Sequence, residues 1–325
     1  MREKIIRLSL WFLLIVLVSA CSSSTFTKEE EKKYMENYYE LASKPSEPSL
    51  LIEELDKNIA RLSSEESSNA VDALLYSMYQ KQKELNDKIS GLQDVMSSYQ
   101  DDGINFNVSQ SYSRIKDSTL KAFLGEIQKE KFLVINDNGG FTVVPNMGEI
   151  LQKYEMYMTD ALKDMILFSK SEYDKPFFDF EKEKFDLDVV VERILMMEEG
   201  LKKHFDSSYV NAFKESKAYY YQIYFGVNNG YMIDSQKNLL EEVLEHYQKT
   251  LKDHPNTQLA NDLNAYLEKL KQSKNKMTDD VIVFLTDLTT AEVIEVNSEN
   301  DENISSNSDE AKRNAIQEAI QENKK

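Results

Sequence analysis

The sequence is poor in the residues that staple, bend or break a chain. Cys21 is the single cysteine among 325 residues, so no intrachain disulfide exists and stability rests on apolar burial. Only 9 glycines and 5 prolines occur. Ordinary usage is about 7% and 5%. Folds of many strands need turn residues at close intervals, so this scarcity excludes a sandwich or barrel and favours long helices. Histidine is limited to His204, His246 and His254. Catalytic zinc takes three protein ligands, commonly two of them at motif spacing on one helix. Glu242 and His246 lie one turn apart, but no metal motif accompanies them and His254-Pro255 reads as a turn. The chain also has neither a Gly-x-Ser-x-Gly elbow nor a glycine-rich phosphate loop, which excludes those two chemistries. No cofactor and no metal is expected.

Positive charge is scarce as well. The chain has 39 Lys and Arg against 57 Asp and Glu, a net −18. Nucleic-acid binding works by releasing counterions to basic side chains, so it is excluded. Docking on anionic lipid headgroups is disfavoured for the same reason. Net charge of this size keeps a protein soluble, and its sharper use is attraction of a basic partner or a divalent cation. Long apolar runs are nearly absent. Leu8–Val18 is one, interrupted by Ser9. Val281–Leu285 is the next, and it is short and flanked by Asp279, Asp280 and Asp287. A spanning helix needs about 20 apolar residues, which neither run supplies.

What is present begins at the first residues. Arg2, Lys4 and Arg7 give a positive start, Leu8–Val18 an apolar core, and Val18-Ser19-Ala20 small residues directly before Cys21. That order is a secretory signal. With cysteine following the small residues, residues 1–24 resemble a bacterial lipoprotein signal, with Val18 where the pattern most often has leucine. The resemblance implies cleavage after Ala20, acylation of Cys21, and attachment to the extracytoplasmic face of the cell membrane through the lipid. Each buried methylene contributes about 0.8 kcal/mol, and two or more chains anchor stably. Residues 1–20 carry three positive charges and one negative, so their removal takes the net charge from −18 to −20. Trp11, the one tryptophan, leaves with them. Abundant Lys, Asn, Ile, Tyr and Glu point to an AT-rich genome, as in a Gram-positive bacterium.

The resemblance implies a cleaved signal peptide 1–20 and a lipidated N-terminus and tether 21–26, which puts the rest outside the cytoplasm. Composition then divides that rest into a helical extracytoplasmic domain 27–290 and an acidic, mostly disordered tail 291–325. Thr27 and Glu30 make a capping box that starts a helix running to Ala42. Lys44–Pro48 breaks it, a second helix covers Leu50–Leu62, and Ser63–Ser68 reads as a polar turn. The best periodic segment follows. Val71, Met78, Leu85, Leu92 and Tyr99 recur every seven residues, with Leu75, Gln82, Ile89 and Met96 between them. This is a coiled-coil or bundle seam, and packing within the chain is favoured over dimerisation. Gly91 weakens this helix without necessarily ending it.

A helix at 117–129 precedes the one clear β signal, Phe132–Ile135 and Phe141–Val144 around Asn136–Gly140. Such a ribbon is marginal alone and must lie against helices. Helix followed by hairpin looks like the order of a winged helix, a family that grips DNA with basic residues. The acidic tip and surface reject that role. The turn also fails as an EF-hand loop, because with Gly139 at the sixth position Val134 and Pro145 fall where ligands are needed at the first and twelfth. From Gly148 an apolar stripe Ile150, Leu151, Tyr154, Met158, Ala161, Leu162 and Met165 predicts one helix. Ser171–Asp186 interrupts it. Helices are then expected at 187–205, 208–225, 235–252, 257–272 and 279–290. The segment Leu244–Leu267 resembles the joint of tetratricopeptide-like repeats, which implies a helical hairpin but no repeat array. The expected fold is therefore mainly α: a multi-helix bundle of long helices with one small β-hairpin at 132–144.

For recognition, the aromatic cluster Tyr219-Tyr220-Tyr221, Tyr224, Phe225 and Tyr231 stands out. Three successive tyrosines span about 200° of a helix, more than one narrow core stripe. Tyrosine combines apolar area with a polar tip, which suits sugar or peptide contact. Tyr220, Tyr221, Tyr224 and Tyr231 are the first candidates for a binding surface, with core packing as the competing reading. Phe178, in the loop Phe177-Phe178-Asp179-Phe180, is the second. Asp179 is the one carboxylate set between aromatic residues. The function expected is a non-catalytic, lipid-anchored binding or scaffolding protein of the cell envelope, contacting a protein, a peptide or cell-wall material. A transporter's solute receptor and an envelope enzyme with carboxylate chemistry remain the alternatives.

Overall fold

The computed structural model describes residues 25–44, 47–106, 109–137, 140–179, 182–226 and 230–288. Cys21, the Asn138-Gly139 turn and the 291–325 tail lie outside the described residues. The protein is mainly α, with short antiparallel hairpins between helices. The described residues form two compact units.

The first unit takes the described residues up to Lys81, with Met156–Thr159. Its first helix, α1 (Lys28–Ser43), opens on the expected capping box: the Glu30 N–H donates to Thr27 Oγ1 at 3.3 Å and the Thr27 N–H to Glu30 Oε2 at 2.8 Å. Phe26, Tyr34 and Tyr38 stack at 5.6 and 5.8 Å, and the Arg61 guanidinium covers Phe26 at 3.9 Å. The second helix, α2 (Pro48–Asn58), starts at proline, whose fixed φ suits a first turn. The polar turn expected over Ser63–Ser68 is instead a helix start. Ser63 Oγ accepts the Glu66 N–H at 3.3 Å, so serine caps α3 (Ser64–Ser90).

From Gln82 onward α3 belongs to the second unit. The helix ends at Ser90. Gly91 and Leu92 form a turn, and α4 (Gln93–Asp101) resumes. Val71, Leu75, Met78, Leu85, Ile89 and Met96 are all buried within the one chain.

Next come α5 (Ser118–Lys129), capped by Asp117, and the hairpin β1 (Phe132–Asp137) with β2 (Gly140–Pro145), paired from Phe132 opposite Pro145 to Asp137 opposite Gly140. The hairpin does lie against helices, and two side-chain amides hold it there. Asn86 accepts the Val143 N–H (2.8 Å) and donates to its carbonyl (3.3 Å). Gln93 does the same for Phe141 at 2.7 and 2.8 Å. These amides satisfy the open edge of β2, which is otherwise a template for mispairing.

The single helix expected from Gly148 is two, α6 (Met147–Tyr154) and α7 (Asp160–Asp174). Its stripe stays buried through the break from Ile150 to Leu162, with Met165 half-buried. Within the break Met158 is in the core and the Thr159 N–H donates to Ser68 Oγ at 2.8 Å. Past α7 lie a second hairpin, β3 (Phe178–Asp179) with β4 (Lys184–Phe185), then α8 (Leu187–Lys203) and α9 (Val210–Tyr224). Last come α10 (Glu241–Asp253), α11 (Gln258–Gln272) and α12 (279–288). The helix expected from Ser235 begins only at Glu241. Asp234 accepts the N–H groups of Gln236 and Asn238, each at 2.8 Å, and this local capture holds the segment as a turn.

Candidate functional site

The site is built on the core of the second unit, where α8 packs against α7, α9 and α11. Gly200 lets α8 approach α9 closely, since a Cβ there would meet the Phe213 ring at 2.4 Å. On α9, Tyr220 and Tyr224 are 0% exposed and Tyr221 is buried beside them. This corrects the reading of Tyr220, Tyr221 and Tyr224 as a surface. Several elements cover α9, so a wide arc of its circumference finds apolar cover.

Each buried hydroxyl is satisfied by a neighbouring element. Tyr220 donates to Glu172 Oε1 at 2.7 Å. Tyr221 lies within reach of Asp262 Oδ2 (3.1 Å) and Glu198 Oε1 (3.2 Å). Tyr224 donates to Thr250 Oγ1 at 2.9 Å. Burial pushes the Tyr220 and Tyr224 hydroxyls well above the usual phenol range, and the Glu172 carboxylate raises Tyr220 further. These groups stay protonated and serve packing.

Tyr231 and Phe178 behave differently. Tyr231 is 51% exposed and Phe178 half-buried, and their rings meet edge to face at 5.4 Å. Phe185, opposite Phe178 in the small hairpin, contacts both, at 4.8 Å from Phe178 and 5.7 Å from Tyr231. Phe177 lies parallel to Phe185 at 6.2 Å and meets Tyr219, also 51% exposed, at 6.3 Å. Three separate stretches of chain thus gather five incompletely buried rings into one patch. Neither the Tyr219 nor the Tyr231 hydroxyl has a hydrogen-bond partner among the described residues. Exposed ion pairs stand beside the rings: Lys184 with Glu242 at 2.6 Å, Asp179 with Lys182 at 2.6 Å, and Lys175 with Glu192 at 2.9 Å.

Arg193 on α8 secures the base of this patch. Its guanidinium is buried and donates to the carbonyls of Ser171 (2.6 Å) and Lys175 (3.2 Å), where α7 ends and the aromatic hairpin begins. A cation at a helix C-terminus also complements the carbonyl dipoles. The side chain positions the hairpin without reaching the surface itself.

No protein-family model matches the chain, nor does any curated protein or solved structure. The reading of the site therefore rests on its own geometry. Asp179 is an ordinary turn carboxylate, accepting the Lys182 N–H at 3.0 Å as well as its ammonium. Glu242 pairs with Lys184, while His246 turns to Asp188 Oδ1 (3.1 Å) and to the Tyr224 hydroxyl (3.4 Å). Among the described residues no three His, Cys, Asp or Glu side chains gather as metal ligands. No described helix is long and apolar enough to cross a membrane.

Sequence reasoning singles out Tyr231 and Phe178 separately and misses that they touch. It misses Phe185 altogether. The signal for it is present, since Phe178-Asp179 and Lys184-Phe185 mirror each other about a short polar turn, as cross-strand partners do.

Proposed function

We propose that this is a non-catalytic binding or scaffolding protein of the bacterial cell envelope. It is anchored through lipid on Cys21 at the extracytoplasmic face of the membrane, and it recognises a protein, peptide or cell-wall partner through the aromatic patch. The anchoring half of the reading is supported by the order of basic start, apolar core and small residues before Cys21. The recognition half is carried by one observation: the rings of Phe177, Phe178, Phe185, Tyr219 and Tyr231 stay incompletely buried together, while Tyr220, Tyr221 and Tyr224 beside them are buried. Rigid aromatic groups with free hydroxyls are the side chains that dominate binding energy at interfaces.

Photo-cross-linking on intact cells tests it. A cross-linking residue at position 219 or 231 captures a discrete envelope partner, and the same residue at exposed Val283 or Phe205 does not. Equal capture from all four positions contradicts the assignment of the patch.

A further inference from the structure

A cavity of about 540 Å³ opens in the second unit, where α4, the turn after it and the segment leading into α5 meet. Small-molecule sites occupy roughly 300–1,000 Å³. Val95 and the buried Ile104 give it an apolar wall, and Asp102, Arg114 and Lys116 give it charge. Tyr99 lines it too. Its hydroxyl oxygen accepts the N–H groups of Lys116 and Asp117, each at 3.0 Å. A phenol oxygen has two acceptor positions, and both are used, so only its O–H proton is left to give. Among the described residues that proton has no acceptor.

The charges divide into occupied and unoccupied. Asp117, also in the lining, accepts the Leu120 N–H at 2.8 Å as the cap of α5. Arg114 donates to the Gly103 carbonyl and keeps further N–H donors. Lys116 and Asp102 differ from both. Neither side chain has an ion-pair or hydrogen-bond partner among the described residues, and they do not pair with each other although they line the same cavity. Elsewhere in this unit lysines facing a carboxylate close on it, as Lys131 does on Glu149 at 2.7 Å and Lys88 on Glu126 at 2.9 Å. Opposite charges left apart beside an apolar wall match a molecule that carries both charges on a short frame.

We infer that this cavity binds a small zwitterion, an amino acid or a short peptide with free ends. Lys116, the Tyr99 O–H and Arg114 receive its carboxylate, Asp102 receives its ammonium, and its side chain rests on Val95 and Ile104. Charge-assisted hydrogen bonds of this kind are about twice as strong as neutral ones, so both ligand charges are required.

Calorimetric titration of the full-length protein in detergent tests the site, with L-alanyl-L-alanine as the probe and its N-acetyl and C-amide forms as controls. The free dipeptide binds with Kd below about 1 mM, and each blocked form binds about tenfold more weakly or worse. Asp102→Asn abolishes the discrimination against the acetylated form, and Lys116→Ala abolishes that against the amide. Tyr99→Phe weakens the free dipeptide several-fold. Asp102 and Lys116 are exposed, so their replacement leaves the fold intact, and circular dichroism verifies this. Absence of binding to folded wild-type protein overturns the inference. So does equal binding of free and blocked forms, or a discrimination pattern that the two charge variants leave unchanged.

Discussion

Tyr231 and Phe178, distant in the chain, meet edge to face at 5.4 Å outside the buried core, while Tyr224 on the neighbouring helix is completely enclosed. Rings of similar chemistry therefore serve opposite ends. Tyr224→Ala leaves a cavity and strands Thr250, and costs about 3–5 kcal/mol in chemical denaturation. Tyr231→Ala costs less than about 1 kcal/mol, since an exposed ring loses only its edge contacts. Comparable losses for the two contradict the division into core and patch.

Gly200 and Phe213 make a second measurable pair. Gly200→Ala forces a methyl into the Phe213 ring and destabilises by about 1–3 kcal/mol, even though alanine is the better helix former. Adding Phe213→Leu removes the clashing ring edge, so the double variant is less destabilised than the sum of the two single changes. Simple additivity in denaturation midpoints contradicts a direct clash.

Arg193 is predicted to act at a distance on the patch. Arg193→Met keeps the aliphatic stem but takes the guanidinium donor from both carbonyls, leaving Ser171 with only the Lys175 N–H at 3.0 Å and the Lys175 carbonyl unpaired, at about 1–3 kcal/mol. Hydrogen exchange quickens at residues 175–186 more than in β1 and β2. Unchanged exchange over that hairpin contradicts a positioning role.

His246 gives the fold a pH dependence. Burial of the imidazole lowers its pKa below the usual 6.5, outweighing the neighbouring Asp188, and Lys249 adds to the lowering. The unfolded state therefore binds a proton on this residue at higher pH than the folded state does. Stability is fully present above pH 6.5 and falls as pH drops below it toward the folded-state pKa. Asp188, lowered first by its hydrogen bond from Lys249 and mostly exposed, adds a small loss in the same direction at more acidic pH. His246→Gln flattens the denaturation midpoint between pH 7 and pH 5. A slope unchanged by that substitution contradicts the assignment.

Much of the fold is legible in the sequence because its signals are local. The Thr27–Glu30 box, the seven-residue recurrence from Val71, and the apolar run Phe132–Ile135 each report on a few neighbouring residues, and each marks an element that is there, although the recurrence is divided between two helices. The failures come where a distant or competing partner decides. Ser63 reads as turn or cap with equal right. The stripe from Ile150 to Met165 keeps its period across a break that backbone bonding at Thr159 accompanies. Asp234 outcompetes a helix for its own N–H groups. The tyrosine run shows the limit for the site: helical spacing says how wide an arc the rings cover, and the number of packed neighbours decides which of them are enclosed. Phe185 joins the patch through one cross-strand pair that no periodicity announces.

The measurement closest to the central claim is the intact mass of the N-terminal peptide from protein extracted out of the membrane fraction. The account predicts a chain beginning at Cys21 and carrying the mass of two or more acyl chains, with Cys21→Ala shifting the protein to the soluble fraction. A chain that retains Met1–Ala20 with an unmodified Cys21 thiol contradicts it.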